Sequence, residues 1–364
     1  MNRLVVTTGG TGGHIFPALA VAGEVRRRHR GCRVLFLGGS GPEGELAARA
    51  GLEFKALPAA GLVGKGLKAL SGAWATCRGL VLAMIELKRF APEAVLGFGG
   101  FAGFCPVLAA KLLGIPAAVH EQNSIPGLSN RILGKTADLV FVSFAETAAH
   151  FPREKVRLVG NPVRGEIAKA AQRCPDASMK RLFVLGGSQG ARAVNDAVVA
   201  ALPELTRAGV RILHQAGKTD EERVRAAYRA AGLSGTEVQG FIEDMAQAYA
   251  FADLVLCRAG ASTLFELALA GRPALLVPFP FAAHDHQRVN ARVFAAHGGG
   301  IAVEQERLAG CGLARLVLDL FSRPEELARM AEAARKFARP KAAQEVVSEV
   351  ERLAEGPRRT GKAA

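Results

Sequence analysis

Two glycine-rich turns, half a chain apart, constrain this sequence more than any other feature. Gly9-Gly10-Thr11-Gly12-Gly13-His14 follows the apolar run Leu4-Val5-Val6, and Gly186-Gly187-Ser188-Gln189-Gly190-Ala191 follows Leu182-Phe183-Val184-Leu185. Each turn joins a buried-strand pattern to a helix pattern. Each is therefore expected to offer free backbone N–H groups at the positive end of a helix dipole. One such turn says little. Two predict twin α/β domains facing each other across a cleft suited to phosphate-bearing substrates.

The rest of the chain fits that plan. At 364 residues it exceeds the usual size of one core, so two domains are expected. Short β-type runs at 3–8, 33–37, 94–96, 116–119, 138–142, 181–185, 210–213, 253–256 and 274–277 alternate with helical patterns such as 17–29, 192–202, 220–231 and 262–270. That alternation marks parallel sheets covered by helices. Gly160-Asn161-Pro162 is the predicted break. It divides an N-terminal domain, 1–161, from a C-terminal domain, 162–340. A last segment, 341–364, is expected to pack a helix back on the N-terminal domain and to fray at its tail.

Composition excludes several classes. Apolar residues at 49% and charged residues at 22% describe an ordinary folded protein. The six cysteines are scattered without a CxxC pair, which argues against a zinc ribbon or disulfide framework and fits a reducing compartment. The N-terminus lacks a secretory pattern, and the longest apolar candidate, Leu80 to Ile85, stops at Glu86. A membrane span needs about 20 apolar residues, so a cytosolic, non-spanning protein is expected. The formal charge of +14 comes with only one tryptophan and two tyrosines for base stacking and with no recognition motif, which disfavours nucleic acid. An anionic membrane surface, a phosphorylated substrate or a generally basic, solubilising surface remains.

Neither glycine turn fits a standard nucleotide loop. The dinucleotide fingerprint starts at Gly10-Thr11-Gly12 but reaches Ile15 where its last glycine belongs, and no acidic residue closes the strand at 33–37. The second turn fails at Ser188-Gln189. The Gly-Lys-Thr triplets at 134–136 and 217–219 lack the first P-loop glycine, with Ser129 and Ile212 in its place. Dehydrogenase and NTPase readings fall.

The spaced motifs Gly9 to His14, His120-Glu121-Gln122-Asn123, Gly160-Asn161-Pro162-Val163-Arg164, Gly186 to Ala191 and Glu266 to Gly271 occur in one order. In that order they resemble glycosyltransferase family 28, the enzymes that add N-acetylglucosamine to the undecaprenyl-diphosphate-linked muramyl peptide, lipid I, in peptidoglycan synthesis. The resemblance runs from about residue 3 to residue 300. It implies the GT-B fold, two Rossmann-like domains, and an inverting transfer from UDP-N-acetylglucosamine that uses no metal or cofactor. It also implies site roles. Ser188 and the helix-start amides of Ala261-Ser262-Thr263 hold the UDP diphosphate, with Arg164 adding a fixed positive charge, and Leu264 and Phe265 are also substrate-binding. Ile242 meets uracil through its backbone and Glu266 accepts the ribose hydroxyls. Gln287 and Asn123 read sugar hydroxyls, and Thr11, Gly12 and Gly13 line the acceptor side.

His14 is the candidate general base, because imidazole titrates near working pH. Glu121 is the second candidate, with loop stabilisation the stronger reading for it. The i, i+2 pair in His284-Asp285-His286 lacks a third ligand in the sequence and is read as a sugar-binding loop, not a metal site. His29, His150 and His297 show only surface or helix-end placement. Phe101 stands where the family is expected to carry tyrosine, so that hydroxyl is missing. Residues 62–90 mix apolar Leu62, Val63, Leu67, Leu70, Trp74, Leu80 and Ile85 with basic Lys65, Lys68, Arg78, Lys88 and Arg89. Such a mix suits shallow docking on the anionic, cytoplasmic face of a membrane, although ordinary helix core explains many of the apolar positions. Two other readings stay open: another GT-B enzyme on UDP-sugars, such as a UDP-N-acetylglucosamine 2-epimerase or a natural-product glycosyltransferase, and a basic membrane- or nucleic-acid-binding protein.

Overall fold

The computed structural model describes residues 1–10, 12–58, 67–187, 190–235, 237–308 and 312–356, apart from the side chains of 67–73. Thr11, Ser188, Leu62, Val63 and Lys65 lie outside the described residues. The chain divides into two compact units: Met1–Arg164 together with Lys341–Ala364, and Gly165–Pro340.

In the first unit the strands are β1 (Arg3–Thr7), β2 (Arg33–Gly38), β3 (Glu53–Ala56), β4 (Ala94–Gly97), β5 (Ala117–Glu121), β6 (Leu139–Val142) and β7 (Val156–Leu158). The helices between them are α1 (Gly12–Arg28), α2 (Glu43–Arg49), α3 (Leu67–Phe90), α4 (Gly100–Leu112) and α5 (Leu128–Thr136). All strand pairs are parallel, in the order β3-β2-β1-β4-β5-β6-β7. Such a sheet is buried on both faces, and alternate residues feed two cores. Leu4, Val6 and Phe36 pack with Ile15, Ala18 and Val21 of α1. Val5, Leu35 and Val95 pack on the other face with Ala83 and Leu87 of α3 and Val107 of α4.

The second unit repeats the plan with β8 (Arg181–Leu185), α6 (Arg192–Arg207), β9 (Arg211–Gln215), α7 (Glu221–Ala230), β10 (Val238–Gln239), α8 (Met245–Phe251), β11 (Leu254–Cys257), α9 (Ala261–Ala270), β12 (Ala274–Leu276), α10 (His286–Ala296), β13 (Gly300–Ala302), α11 (Gly312–Phe321) and α12 (Pro324–Phe337). Its parallel order is β10-β9-β8-β11-β12-β13. The helix α13 (Ala342–Glu355) belongs to the first unit: Val346, Val347 and Val350 are buried with Leu4, Val6 and the apolar face of α1. Polar bonds fix its register. Arg28 donates to Ser348 Oγ at 2.8 Å and to Gln344 O at 2.9 Å, and His29 Nε2 lies 2.7 Å from Glu351. His29 therefore does more than sit at a helix end. No described helix is long and apolar enough to cross a membrane.

The sequence pattern misses the short edge strands β3, β7, β10 and β13. Only two to four residues long, they are too brief for a period-two signal to emerge.

Candidate active site

In the first unit the turn after β1 differs from the expectation of open amides. Gly9 N–H donates to Gly99 O at 3.2 Å, and Gly10 N–H donates to Glu43 Oε1 at 2.8 Å. These two donors are used inside the protein. The group on Gly10 is a buried carboxylate, which disfavours an anion beside it. Residues 9 and 10 are thus no phosphate cradle. The contact is close because Gly100 has φ +75°, and a Cβ there would come 2.0 Å from Gly9 O. His14 lies in the first turn of α1 with Gly12 and Gly13, and it lines a cavity of about 370 Å³. The 39–41 loop, Glu43 and the start of α4, including half-exposed Phe101, complete that cavity.

The β5–α5 connection places its four motif residues differently. Glu121 is buried. Its Oε1 accepts from Asn123 N at 2.9 Å, and its Oε2 accepts from Gly127 N at 3.2 Å and Asn130 Nδ2 at 2.8 Å. With both oxygens bound by its own loop, Glu121 organises that loop and is not poised to take a proton. Asn123 is held by Glu121, and its carbonyl accepts from Thr147 Oγ1 at 3.0 Å. Gln122 and His120 turn inward instead. Gln122 Oε1 lies 2.6 Å from His14 Nδ1. Gln122 Nε2 lies 3.0 Å from His120 O and 3.1 Å from His120 Nδ1. His120 Nε2 lies 3.0 Å from Gly160 O, and its ring stacks on Phe98 at 5.3 Å. Burial, opposed by the Gly160 carbonyl, pushes His120 down to about 4. Arg164, the last residue of the unit, lays its guanidinium 4.6 Å over the Phe16 ring.

In the second unit two amides of the 186–191 turn are also used: Gly186 N donates to Gln215 O at 2.9 Å and Gly190 N to Gly187 O at 3.2 Å. A Cβ on Gly190, where φ is +78°, would meet Ala216 O at 2.8 Å. The helix start at Ala261-Ser262-Thr263 has Gly260 as N-cap, no side-chain cap and no acidic residue in its first turn. A helix start of this kind suits an anion. Leu264 and Phe265 behind it are core residues. Glu266 is buried, with Oε2 accepting from Tyr249 OH at 3.0 Å. Ile242 N donates to Gln215 Oε1 at 3.0 Å, so its backbone is held by a side chain that the sequence did not single out. Gln287 Oε1 accepts from Phe279 N at 3.0 Å.

His284 and Asp285, just before α10, are consecutive non-glycine residues in the left-handed region, at φ +52° and +57°. Strain of this kind costs about 1–3 kcal/mol per residue and collects at ligand clamps. Among the described residues no three His, Cys, Asp or Glu side chains come together to hold a metal ion. The sequence missed Gln122, Glu43, Tyr249 and Gln215. Each of the four makes a hydrogen bond to a partner at least 17 residues away, which no local pattern encodes.

Comparison with known proteins gives the same two-part picture. The glycosyltransferase family 28 N-terminal domain matches residues 4–142, and the family's C-terminal domain matches 181–346. The chain is 52% identical to the UDP-N-acetylglucosamine--N-acetylmuramyl-(pentapeptide) pyrophosphoryl-undecaprenol N-acetylglucosamine transferase of Solidesulfovibrio magneticus, over 95% of this chain and 96% of the relative. Among solved structures it resembles MurG from Acinetobacter baumannii, at 33% identity and a TM-score of 0.77, covering 96% of this chain and 99% of that one. A putative UDP-N-acetylglucosamine 2-epimerase from Listeria monocytogenes, at 13% identity and a TM-score of 0.67, covering 96% of this chain and 95% of that one, shares the fold alone. Two Rossmann-like parallel sheets, both family domains and identity along nearly the whole length lead to one conclusion: the chain belongs to glycosyltransferase family 28.

Proposed function

We propose that this chain transfers N-acetylglucosamine from UDP-N-acetylglucosamine to the 4-hydroxyl of the muramyl residue of the undecaprenyl-diphosphate-linked muramyl peptide, releasing UDP. The observation that carries this reading is 52% identity over 95% of the chain to a transferase named for that reaction. The acceptor oxygen bonds to the anomeric carbon as the carbon–phosphate oxygen bond breaks, with inversion. UDP leaves with the electron pair, and the hydroxyl proton passes to His14 as general base.

The remaining roles are those the family resemblance implies, and they are chemically sensible at these residues. The amides of Ala261, Ser262 and Thr263, with Ser188, hold the diphosphate whose charge grows during transfer, and oriented dipoles stabilise that charge without reorganising. Arg164 adds a fixed positive charge there. Glu266 accepts the ribose hydroxyls, and Ile242 addresses uracil through its backbone. Gln287, its oxygen already on Phe279, turns its NH2 to a sugar oxygen, as Asn123 does. Gly12 and Gly13, in the same helical turn as His14, bind the acceptor, a role that Thr11 shares.

The lipid-linked acceptor stays in its bilayer, so the enzyme docks there, at the cytoplasmic face. On α3, Trp74, Val81 and Ile85 are exposed at spacings of seven and four, on one helix face, with exposed Arg78, Lys88 and Arg89 beside them. Leu80, by contrast, packs against the core.

The test is UDP release with and without a lipid-linked muramyl-peptide acceptor. Release that requires both the acceptor and UDP-N-acetylglucosamine, with UDP-N-acetylgalactosamine turned over poorly, is expected. Acceptor-independent turnover of the UDP-sugar would point instead to another enzyme of this fold.

A further inference from the structure

His120 and Gln122 are 0% and 1% exposed, yet both are polar and both connect to His14. Gly160 O is a carbonyl and only accepts, so His120 Nε2 carries the hydrogen in their 3.0 Å bond. The buried ring is neutral, which leaves His120 Nδ1 with a bare lone pair. The group 3.1 Å from that lone pair must donate, and Gln122 Nε2 does. A second contact fixes the same amide orientation independently. Gln122 Nε2 lies 3.0 Å from His120 O, and a flipped amide would bring two acceptor oxygens face to face there. Gln122 Oε1 is thereby turned to His14 and can only accept, so His14 Nδ1 carries a hydrogen across the 2.6 Å contact.

We propose that His120 and Gln122 are positioning residues that lock His14 in its Nδ1–H tautomer, so that Nε2 is the atom that takes the proton of the acceptor hydroxyl. The inference rests on the reading of His14 as the general base. In the step, the hydroxyl O–H bond breaks and an N–H bond forms at Nε2. The freed oxygen bonds to the anomeric carbon, and UDP departs with the electrons of the broken carbon–oxygen bond. The imidazolium then donates from both nitrogens, and Gln122 Oε1 goes on accepting from Nδ1. No group in the chain has to turn over during the reaction, so the orientation is set before substrate arrives. The anchor at Gly160 also gives the Gly160-Asn161-Pro162 motif a role besides a predicted break, because its carbonyl sets the direction of every donor that follows.

The test combines spectroscopy on the unaltered enzyme with a mutant cycle. In protein labelled with 15N-histidine, His14 is assigned from the signal lost in His14→Ala. Nδ1 is expected to resonate as a protonated, pyrrole-type nitrogen and Nε2 as an unprotonated, pyridine-type one. Gln122→Met, which keeps the side-chain length but neither donates nor accepts comparably, is expected to give a mixture of tautomers. Its kcat should fall about 10- to 100-fold, part of the 10²–10⁴ that a general base contributes, while KM for both substrates stays within about twofold. On a His14→Ala background, Gln122→Met should lower kcat no further, because both act through one atom. A pyrrole-type Nε2 in the wild-type enzyme overturns the inference, even if Gln122→Met fails to fold. So does a folded Gln122→Met with unchanged kcat and a single tautomer, or an additive loss in the double variant. Near-normal kcat in His14→Ala is a different outcome, which removes the base reading itself.

Discussion

The residues that shape the first half-site are small because backbone meets backbone there. Gly100 allows α4 to begin against the carbonyl of Gly9. Gly100→Ala is expected to cost more than about 2 kcal/mol, since the positive φ and the contact with Gly9 O act together. Gly114 provides the control. It has φ +71° with nothing within 4 Å of a Cβ, so Gly114→Ala should cost about 1 kcal/mol, the conformational part alone. Urea unfolding of the two variants separates the terms, and equal losses would show that the contact contributes nothing. At this scale the sequence was informative about residue identity and silent about partners. His14 was legible as a candidate base from its place after the glycine turn. Its hydrogen-bond partner, Gln122, comes 108 positions later, and only the adjacency of β1 to β4 and β4 to β5 brings the two together. Glu121 shows the opposite outcome. Its type suited acid–base chemistry, and its neighbours commit it to the loop.

At the scale of elements, α3 was legible as amphipathic, but its two faces could not be assigned from composition. Packing assigns them. Ala83, Leu87 and Phe90 are buried against the first sheet, whereas Trp74, Val81 and Ile85 are exposed. If that outer stripe docks on membrane, Trp74→Glu with Ile85→Glu should weaken binding to anionic vesicles about tenfold or more, the equivalent of withdrawing about one apolar side chain from the interface. Turnover of a detergent-solubilised acceptor should stay near normal. Co-sedimentation at low and high salt reads the first effect, and unchanged vesicle binding would remove the stripe from the docking surface. The helix α13 shows the limit of a local pattern. Its periodicity announces a helix, while its partner, α1, is more than 300 residues away in sequence.

For the whole molecule, each unit buries one neutral histidine, and this makes stability depend on pH. His120 in the first unit is pushed down to about 4 by burial, and His214 in the second to about 3 by burial only partly offset by Asp220. His214 is held by Tyr228 OH and Asn195 Oδ1, each at 3.0 Å. Unfolded, both histidines titrate near their ordinary 6.5. Between that value and their folded values the unfolded chain binds more protons. The stability contributed by the two is therefore full above about 6.5, falls as the pH drops below that value, and is fully lost once the pH has passed below about 4 for His120 and 3 for His214. Urea midpoints measured at pH 7.5 and 4.5 should differ, and His214→Gln should shrink the difference. An unchanged pH dependence in that variant would mean that His214 is not held neutral. Local pattern alone was enough for the two-unit parallel α/β plan, through strand and helix periods and glycine turns, and the ordered short motifs were enough for the family and for naming the candidate site residues. Tertiary structure decided which glycine-turn amides are already used, which of two candidate bases is held by its own loop, and which way His14 faces. Those outcomes depend on hydrogen bonds between residues that only the order of strands in the sheet makes neighbours.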